Sequence, residues 1–171
     1  AGISAAAAVA ASLRIAEGSW ERAVSGAAEE HSDIINDAYR HCGLYADHGA
    51  APFKGEGGFV TGAAAATFIL ESRDSMERRS GKAHGKVLDA AMARPLEGDR
   101  VAACRQVLEQ LGSPRHVISS ANGTWIDRVE LAGLRRCCGG AVVSSIYGHV
   151  AESFSVGPLI ALGATLLSGK M

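Results

Sequence analysis

The first part of the chain alternates between apolar stretches and polar breaks, and this pattern predicts its first elements. An alanine-rich stretch that Ser4 can cap predicts a helix through about Glu17, since Gly18 readily takes the left-handed conformation that ends helices. Its thin alanine face predicts close packing against neighbouring elements. The apolar residues of 21–29 then predict a short buried strand that leads into a loop.

The next stretches include one element whose type the pattern leaves open. A short helix is predicted over 32–41, followed by a loop to Gly58. The apolar run from Phe59 to Glu71 fits a helix or a strand by periodicity, because its alanines favour a helix whereas its valine, threonine, phenylalanine and isoleucine favour a strand. The glycines that flank the run favour the strand.

The second half of the chain has a regular order of elements. The predicted order is a charged helical turn over 72–82, a strand over 83–95, a helix over 99–112, a strand over 115–123, a helix over 124–138, a strand over 141–149 and a helix over 152–168. Strands and helices that alternate with short connections are typical of a parallel or mixed sheet with helices on its faces, so the predicted fold class is α/β. Functional groups of such sheets lie beyond the carboxyl ends of the strands, where Asn122 and His149 fall.

Composition narrows the classes of partner. With 47% hydrophobic residues, the chain of 171 residues is long enough to bury a sizeable core. Its 17 Lys and Arg nearly balance its 18 Asp and Glu, and the net charge of −1 provides no basic field that would attract nucleic acid. We therefore expect no nucleic-acid partner.

Cysteine use and the first residues indicate where the protein works. Four cysteines without the spacing of a disulfide framework indicate a reducing compartment, and hence a cytoplasmic protein: Cys42, Cys104, Cys137 and Cys138. The opening stretch is apolar, but Ser, Arg and Glu interrupt it and it falls short of the ~20 apolar residues of a membrane span. We expect neither a signal peptide nor a membrane partner. Because the sequence begins with Ala1 rather than Met, we expect a piece upstream of it.

Other polar sets match known motifs poorly, and we predict no metal site and no tightly bound cofactor. Four glycines have neither a Walker nor a GxGxxG spacing, so tight turns are favoured over a phosphate cradle: residues 55, 57, 58 and 62. Two histidines and a cysteine fit no common zinc pattern: His41, Cys42 and His48. The serines near His149 lack the G-x-S-x-G elbow of a hydrolase.

Three segments carry a resemblance to a known family. They are "APFKGEGGFVTGAAAATFILES" from Ala51, "SSANGTWIDRVELAGLRR" from Ser119 and "VVSSIYGHVAESF" from Val142. The second resembles the His-Gly-Thr segment of the β-ketoacyl synthases, and the third resembles their segment ending in Gly-His. In this order and spacing the three segments resemble the β-ketoacyl synthases and their relatives. The resemblance implies a thiolase-like fold, a mixed sheet with helices on both faces in α-β-α layers.

The resemblance covers nearly the whole chain but only the middle of a full-length relative. It implies that residues 1–82 are the C-terminal part of the first thiolase-fold half, and that 83–171 are the second half without its last strands. Such a piece exposes sheet edges and one face of its core, so a complementary fragment of its own fold is expected as a partner. A cut at the family's nucleophile position, by self-cleavage, is a further hypothesis.

Active members of the family use a cysteine at a helix N-terminus and two histidines, which promote decarboxylation of the malonyl extender. The nucleophile position falls at Ala1 or at the residue before it, so the chain has no cysteine there. Asn122 stands at the first histidine position, and His149 keeps the second. Three further family positions are changed: Lys54, Ala63 and Ser144. Asn122 is equally explained as a turn residue, and His149 as a structural histidine that ends a buried strand.

This pattern resembles the chain length factors, the ketosynthase-like partners of type II polyketide synthases. It implies a non-catalytic subunit that forms a heterodimer with an active ketosynthase and shapes the tunnel of the polyketide or polyene chain. The acyl and malonyl groups would arrive as phosphopantetheine thioesters on an acyl carrier protein. The alternative is an active β-ketoacyl synthase whose nucleophile lies on a missing upstream segment, with Asn122 and His149 as the remaining catalytic donors. A third possibility is an interaction module with no pocket.

Overall fold

The computed structural model describes residues 3–55, 57–94 and 98–168 of the chain. These residues form six helices and four strands: α1 (Ile3–Ala16), β1 (Arg22–Glu29), α2 (Asp33–His41), β2 (Ala64–Glu71), α3 (Arg73–Arg78), α4 (Arg100–Leu111), β3 (His116–Ser119), α5 (Ile126–Cys137), β4 (Val142–Ser145) and α6 (Gly157–Ser168). They divide into two compact units. Unit 1 holds residues 3–29, 64–90 and 154–168, and unit 2 holds the described residues of 30–63 and 91–153.

The core of unit 1 is an antiparallel pair of strands that helices cover on one face. β1 and β2 pair from Arg22 opposite Glu71 to Glu29 opposite Ala64. α1 packs against both strands, and α6 packs against β2 and α1. The helix and the strand predicted at the start of the chain are confirmed to within two residues at each end. The strand is not buried as predicted, since Val24 is 72% exposed. Ser4 lies inside the first turn of α1 instead of capping it, and the helix is only partly buried.

One end of the β1–β2 pair carries a charged cluster around Glu71. The Glu71 carboxylate accepts hydrogen bonds from Arg79 at 2.6 Å, from Ser75 at 2.9 Å and from Arg22 at 2.6 Å. These donors, Arg79 foremost, hold the pKa of Glu71 at about 2, below its usual 4.5, against the opposing effect of burial. The cluster therefore joins both strands to α3 and to the residue that follows it.

Unit 2 contains a parallel pair of strands and a packed pair of helices. β3 and β4 pair in parallel over all four residues of each strand, which confirms the two predicted strands in position though not in length. α4 packs on α5 where Gly133 lacks a side chain, since a Cβ there would lie 2.9 Å from Cys104 Sγ. The hydroxyl of Ser32 and the carboxylate of Asp99 accept N–H groups in the first turns of α2 and α4.

Two predicted strands differ from the structure in the first half of the chain. Residues 83–94 form no strand, and Pro95 lies outside the described residues. Val87 and Leu88 of this stretch are 49% and 84% exposed, and no strand pairs with them among the described residues. The run from Phe59 is a strand only from Ala64 onwards.

Three boundaries differ in the second half. α5 begins at Ile126, two residues after the predicted start. β4 ends at Ser145 rather than at residue 149, because the Ser145 hydroxyl donates to the Ala121 carbonyl and accepts from the Tyr147 N–H, which turns the chain. α6 begins at Gly157 rather than at residue 152.

The described helices are all too short or too polar to cross a membrane. The division of the chain after residue 82 that the resemblance implies stays a prediction.

Candidate functional site

Three loop segments of unit 2 come together, and they are the segments that carried the family resemblance. Their described residues are 51–55 and 57–63, 119–127, and 145–153, which lie within the longer segments quoted above. Three hydrogen bonds between them show this: Gly58 N–H to Gly123 O at 2.9 Å, Glu152 N–H to Val60 O at 2.7 Å, and Ser145 Oγ to Ala121 O at 2.6 Å. Sequence positions far apart therefore form one loop cluster, in which Asn122, Asp127 and Glu152 are buried.

Asp127 fixes two of these segments through backbone N–H groups. Its carboxylate, only 5% exposed, accepts from Asn122 at 2.9 Å, from Gly123 at 3.1 Å and from Phe53 at 2.7 Å. Phe53 has a φ of 64°, a conformation that non-glycine residues rarely adopt, so the bond to Asp127 holds a strained residue in place. With its oxygens occupied by backbone donors, Asp127 acts as a structural anchor.

Asn122 is buried and its side chain is engaged at both ends. Its Nδ2 donates to Glu152 Oε2 at 2.7 Å, and its Oδ1 accepts from the Thr124 hydroxyl at 2.7 Å. All three side chains are at most 5% exposed. A carboxamide can donate and accept hydrogen bonds but cannot take up or release a proton, so Asn122 itself orients groups and does not transfer protons.

The Glu152 end of this network continues to α2. Glu152 forms an isolated parallel bridge with Thr61, and the Thr61 hydroxyl donates to the buried Asn36 Oδ1. The Asn36 amide in turn lies 3.2 Å from His31 Nε2. A line of polar groups therefore runs from the start of α2 to Asn122.

Tyr147 is a second buried polar group beside this network. Its side chain is 7% exposed, and burial, with the carboxylates of Glu152 and Glu130, raises the pKa of Tyr147 above its usual 10.0. The phenol is therefore a neutral hydroxyl at ordinary pH. Glu130 itself accepts from Ser119 Oγ at 2.8 Å and from Ser120 N–H at 3.2 Å, which fastens the end of β3 to α5.

His149 lies in a turn, is exposed, and does not end a buried strand. Its N–H donates to the Ile146 carbonyl at 2.9 Å, and no hydrogen bond joins its imidazole to the other described residues. The structure thus buries Asn122 and exposes His149, and it shows no bond between them. A role of either residue at a catalytic position stays a prediction. Ala1, at the nucleophile position, lies outside the described residues.

Glu152 is the residue that sequence reasoning missed. The sequence pattern predicts it as the first residue of the last helix, over 152–168, whereas the helix begins at Gly157. No spacing in the sequence indicated that it would bind Asn122 from 30 positions away.

Among the described residues, no three His, Cys, Asp or Glu side chains lie close enough together to share a metal ion.

The chain matches no protein-family profile and no curated protein. Its fold matches solved structures with high probability. An oxazolomycin ketosynthase domain of Streptomyces albus JA3453 is 19% identical, with a TM-score of 0.75 over 98% of this chain and 33% of that chain. The ishigamide ketosynthase/chain length factor is 20% identical, with a TM-score of 0.78 over 91% of this chain and 42% of that chain.

A third structure is a type II polyketide synthase acyl carrier protein in complex with its ketosynthase bound to the hexaketide. It is 16% identical, with a TM-score of 0.83 over 95% of this chain and 47% of that chain. This chain has the ketosynthase fold. The predicted thiolase-like α/β fold is therefore confirmed, and the chain spans between a third and a half of the length of these ketosynthase structures.

Proposed function

We propose that this chain is a non-catalytic ketosynthase-like subunit of the chain length factor type. It pairs with an active ketosynthase, and together they enclose the growing polyketide or polyene chain. The partner supplies the cysteine, and an acyl carrier protein brings acyl and malonyl groups as phosphopantetheine thioesters. A complementary part of its own fold completes the subunit.

The observation that carries this proposal is the environment of Asn122. Decarboxylative condensation needs hydrogen-bond donors where the negative charge of an enolate develops. At the family's first histidine position, the Asn122 amide instead donates to the Glu152 carboxylate at 2.7 Å. A carboxylate that close in a buried site repels a developing enolate and takes up one of the two N–H donors of the amide. The likeness to the ishigamide ketosynthase/chain length factor supports the same role.

The test is an acylation assay with an acyl carrier protein that carries a radiolabelled acyl thioester. We expect the purified chain alone to take up no covalent label. Mixed with an active type II ketosynthase, the chain is expected to form a heterodimer in which all label lies on the ketosynthase. The chain length of the product is expected to differ from that of the ketosynthase alone.

The matched control replaces the partner's active-site cysteine by alanine, which should abolish labelling of the mixture. Covalent label on this chain, or decarboxylation of malonyl-loaded carrier protein by this chain alone, contradicts the proposal. Either result would support the alternative of an active condensing enzyme, in which the exposed His149 is free to reach a substrate.

A further inference from the structure

Asn122 and Gly123 form a pair in which the backbone can react with the neighbouring side chain. The chain has two asparagines, Asn36 and Asn122, and only Asn122 precedes a glycine. The backbone nitrogen that follows an asparagine can attack its side-chain carbonyl carbon, and glycine has no side chain to hinder that attack. The bond from the Gly123 nitrogen to Asn122 Cγ forms as the side-chain nitrogen leaves as ammonia. Water then opens the succinimide ring to aspartate or isoaspartate.

The loop cluster requires a glycine at position 123. Gly123 has a φ of 88°, and a Cβ there would lie 2.5 Å from the Gly58 carbonyl oxygen. The Gly123 carbonyl in turn accepts the Gly58 N–H at 2.9 Å. A side chain at position 123 would therefore strain the backbone and collide with the neighbouring loop. The contact that joins these loops thus keeps the reactive pair in the candidate site.

In the folded chain the attacking nitrogen is held by Asp127. The Gly123 N–H donates to the buried Asp127 carboxylate, at 3.1 Å from Oδ2 and 3.3 Å from Oδ1. The nitrogen must lose this proton to attack, which places a negative charge 3.1 Å from a carboxylate oxygen. Like charges at that distance repel strongly where water is excluded. Asp127 therefore opposes the first step of the reaction.

The side chain under attack is held as well. Asn122 Nδ2 donates to Glu152 Oε2 at 2.7 Å, and this bond is lost on ring closure because the nitrogen leaves as ammonia. Asn122 Oδ1 accepts from the Thr124 hydroxyl at 2.7 Å. All three side chains are at most 5% exposed, so the water that opens the ring has little access.

The products do not fit the loop cluster. Aspartate at position 122 places a second carboxylate where Nδ2 now meets Glu152 Oε2 at 2.7 Å. Two carboxylates that close cannot both ionise without a large cost. Isoaspartate lengthens the backbone before Gly123 and moves its N–H relative to Asp127. Either product therefore breaks contacts that join the loops.

We infer that Asn122 is a deamidation site that the loop cluster keeps closed, and that Asp127 is the residue that keeps it closed. Whenever Gly123 leaves Asp127, the succinimide can form. Deamidation then removes the donor to Glu152, so openings of the cluster accumulate as a permanent change of the candidate site. The inference does not depend on the proposed function.

Peptide mapping by mass spectrometry tests the inference on the full-length protein from its native host. The protein is incubated in mildly alkaline buffer, native or unfolded in guanidinium chloride, and the conversion of Asn122 to aspartate and isoaspartate is followed. We expect conversion at least about a hundredfold slower in the native state than in the unfolded state. Asn36, which precedes Asp37, is the internal control and should convert more slowly than Asn122 when unfolded. Equal rates at Asn122 in both states, or no conversion when unfolded, overturn the inference.

Three variants separate Asp127 from general stability. Asp127→Ala frees the Gly123 nitrogen, whereas Leu134→Ala removes a side chain of α5 that is 2% exposed and leaves the bonds of Asp127 in place. After correction for the unfolded fraction, we expect the native rate at Asn122 to rise at least about tenfold more in Asp127→Ala than in Leu134→Ala. Asp127→Asn, which removes only the charge, should give an intermediate rise. Equal corrected rates in all three variants would contradict the role of Asp127.

Discussion

The two units stabilise buried carboxylates in different ways. In unit 1, Glu71 is paired with the opposite charges of Arg22 and Arg79. In unit 2, Asp127 and Glu152 accept from neutral donors, namely backbone N–H groups and a carboxamide. Ion pairs to flexible arginines hold strands together at a surface. Neutral donors, mostly of the backbone, join the loops of the cluster in unit 2.

Each unit contains one tryptophan, which allows the two to be observed separately. Trp20 lies in unit 1, and Trp125 lies in unit 2, where the Arg100 guanidinium stacks 4.4 Å from the centre of its ring. In a Trp20→Phe background, fluorescence reports Trp125 alone, and in a Trp125→Phe background it reports Trp20. The comparison between the units can therefore be tested by urea unfolding with each reporter.

The largest effect is expected for Asp127→Ala. The substitution leaves the N–H groups of Asn122, Gly123 and Phe53 without their buried acceptor. We expect the free energy of unfolding at the Trp125 reporter to fall by about 4 kcal/mol, with little change at Trp20. Asp99→Ala, which removes an exposed cap in the same unit, should cost only about 1 kcal/mol. Equal losses in both variants would show that Asp127 is no more than a cap.

A second effect comes from the close approach of loops in unit 2. Gly58 has a φ of 88°, and a Cβ on it would collide with the Leu44 carbonyl. Gly58→Ala combines backbone strain with this collision, so we expect a loss of about 3 kcal/mol at the Trp125 reporter. Gly43→Ala, with a φ of 67° and open space around the new methyl group, should lose only about 1 kcal/mol. A similar loss of unfolding free energy at both positions would mean that the loops of unit 2 move enough to accommodate a methyl group at Gly58.

These contacts show which parts of the structure the sequence could predict. The ends of a capped helix such as α4 are set by residues close in the sequence. The pattern therefore predicted both ends of α4 to within one residue. The strand predicted around Val87 fails because a strand requires a partner, which a short apolar run does not specify. The late start of α6 has the same cause, since the Glu152 backbone pairs with Val60, 92 residues earlier.

The sequence predicted those features of the candidate site that depend on adjacent residues, and it missed those that depend on contacts between distant residues. The order of three short motifs predicted the fold and pointed to Asn122. A motif can be recognised from adjacent residues alone, without knowledge of the contacts between distant segments. The motifs could not show that Glu152 occupies the Asn122 amide, nor that His149 is exposed. Both depend on how the chain turns after Ser145, and that turn is made by a hydrogen bond to a distant carbonyl.

A smaller effect, confined to unit 1, is expected from acid. The pKa of Glu71 is about 2 in the folded chain and near its usual 4.5 when unfolded. The stabilisation is therefore complete above about pH 4.5 and is lost as pH falls from there towards 2. Urea midpoints at the Trp20 reporter should drop over this range, and Glu71→Gln should flatten the drop. Asp74→Asn, which changes an exposed carboxylate of α3, should leave the drop in the urea midpoint unchanged. If Asp74→Asn reduces the drop as much as Glu71→Gln does, the acid sensitivity belongs to carboxylates in general.

The smallest effect is expected in alkali and belongs to unit 2. Because burial and two carboxylates raise the pKa of Tyr147 above 10.0, the folded chain holds this proton more tightly than the unfolded chain. Its contribution to stability is complete below about pH 10 and declines as pH rises further. We expect phenolate absorbance to show a late-titrating tyrosine that Tyr147→Phe removes, while Tyr39→Phe, a half-buried tyrosine of α2, retains it. If the late phase disappears in Tyr39→Phe instead, burial and the carboxylates of Glu152 and Glu130 do not raise the pKa of Tyr147.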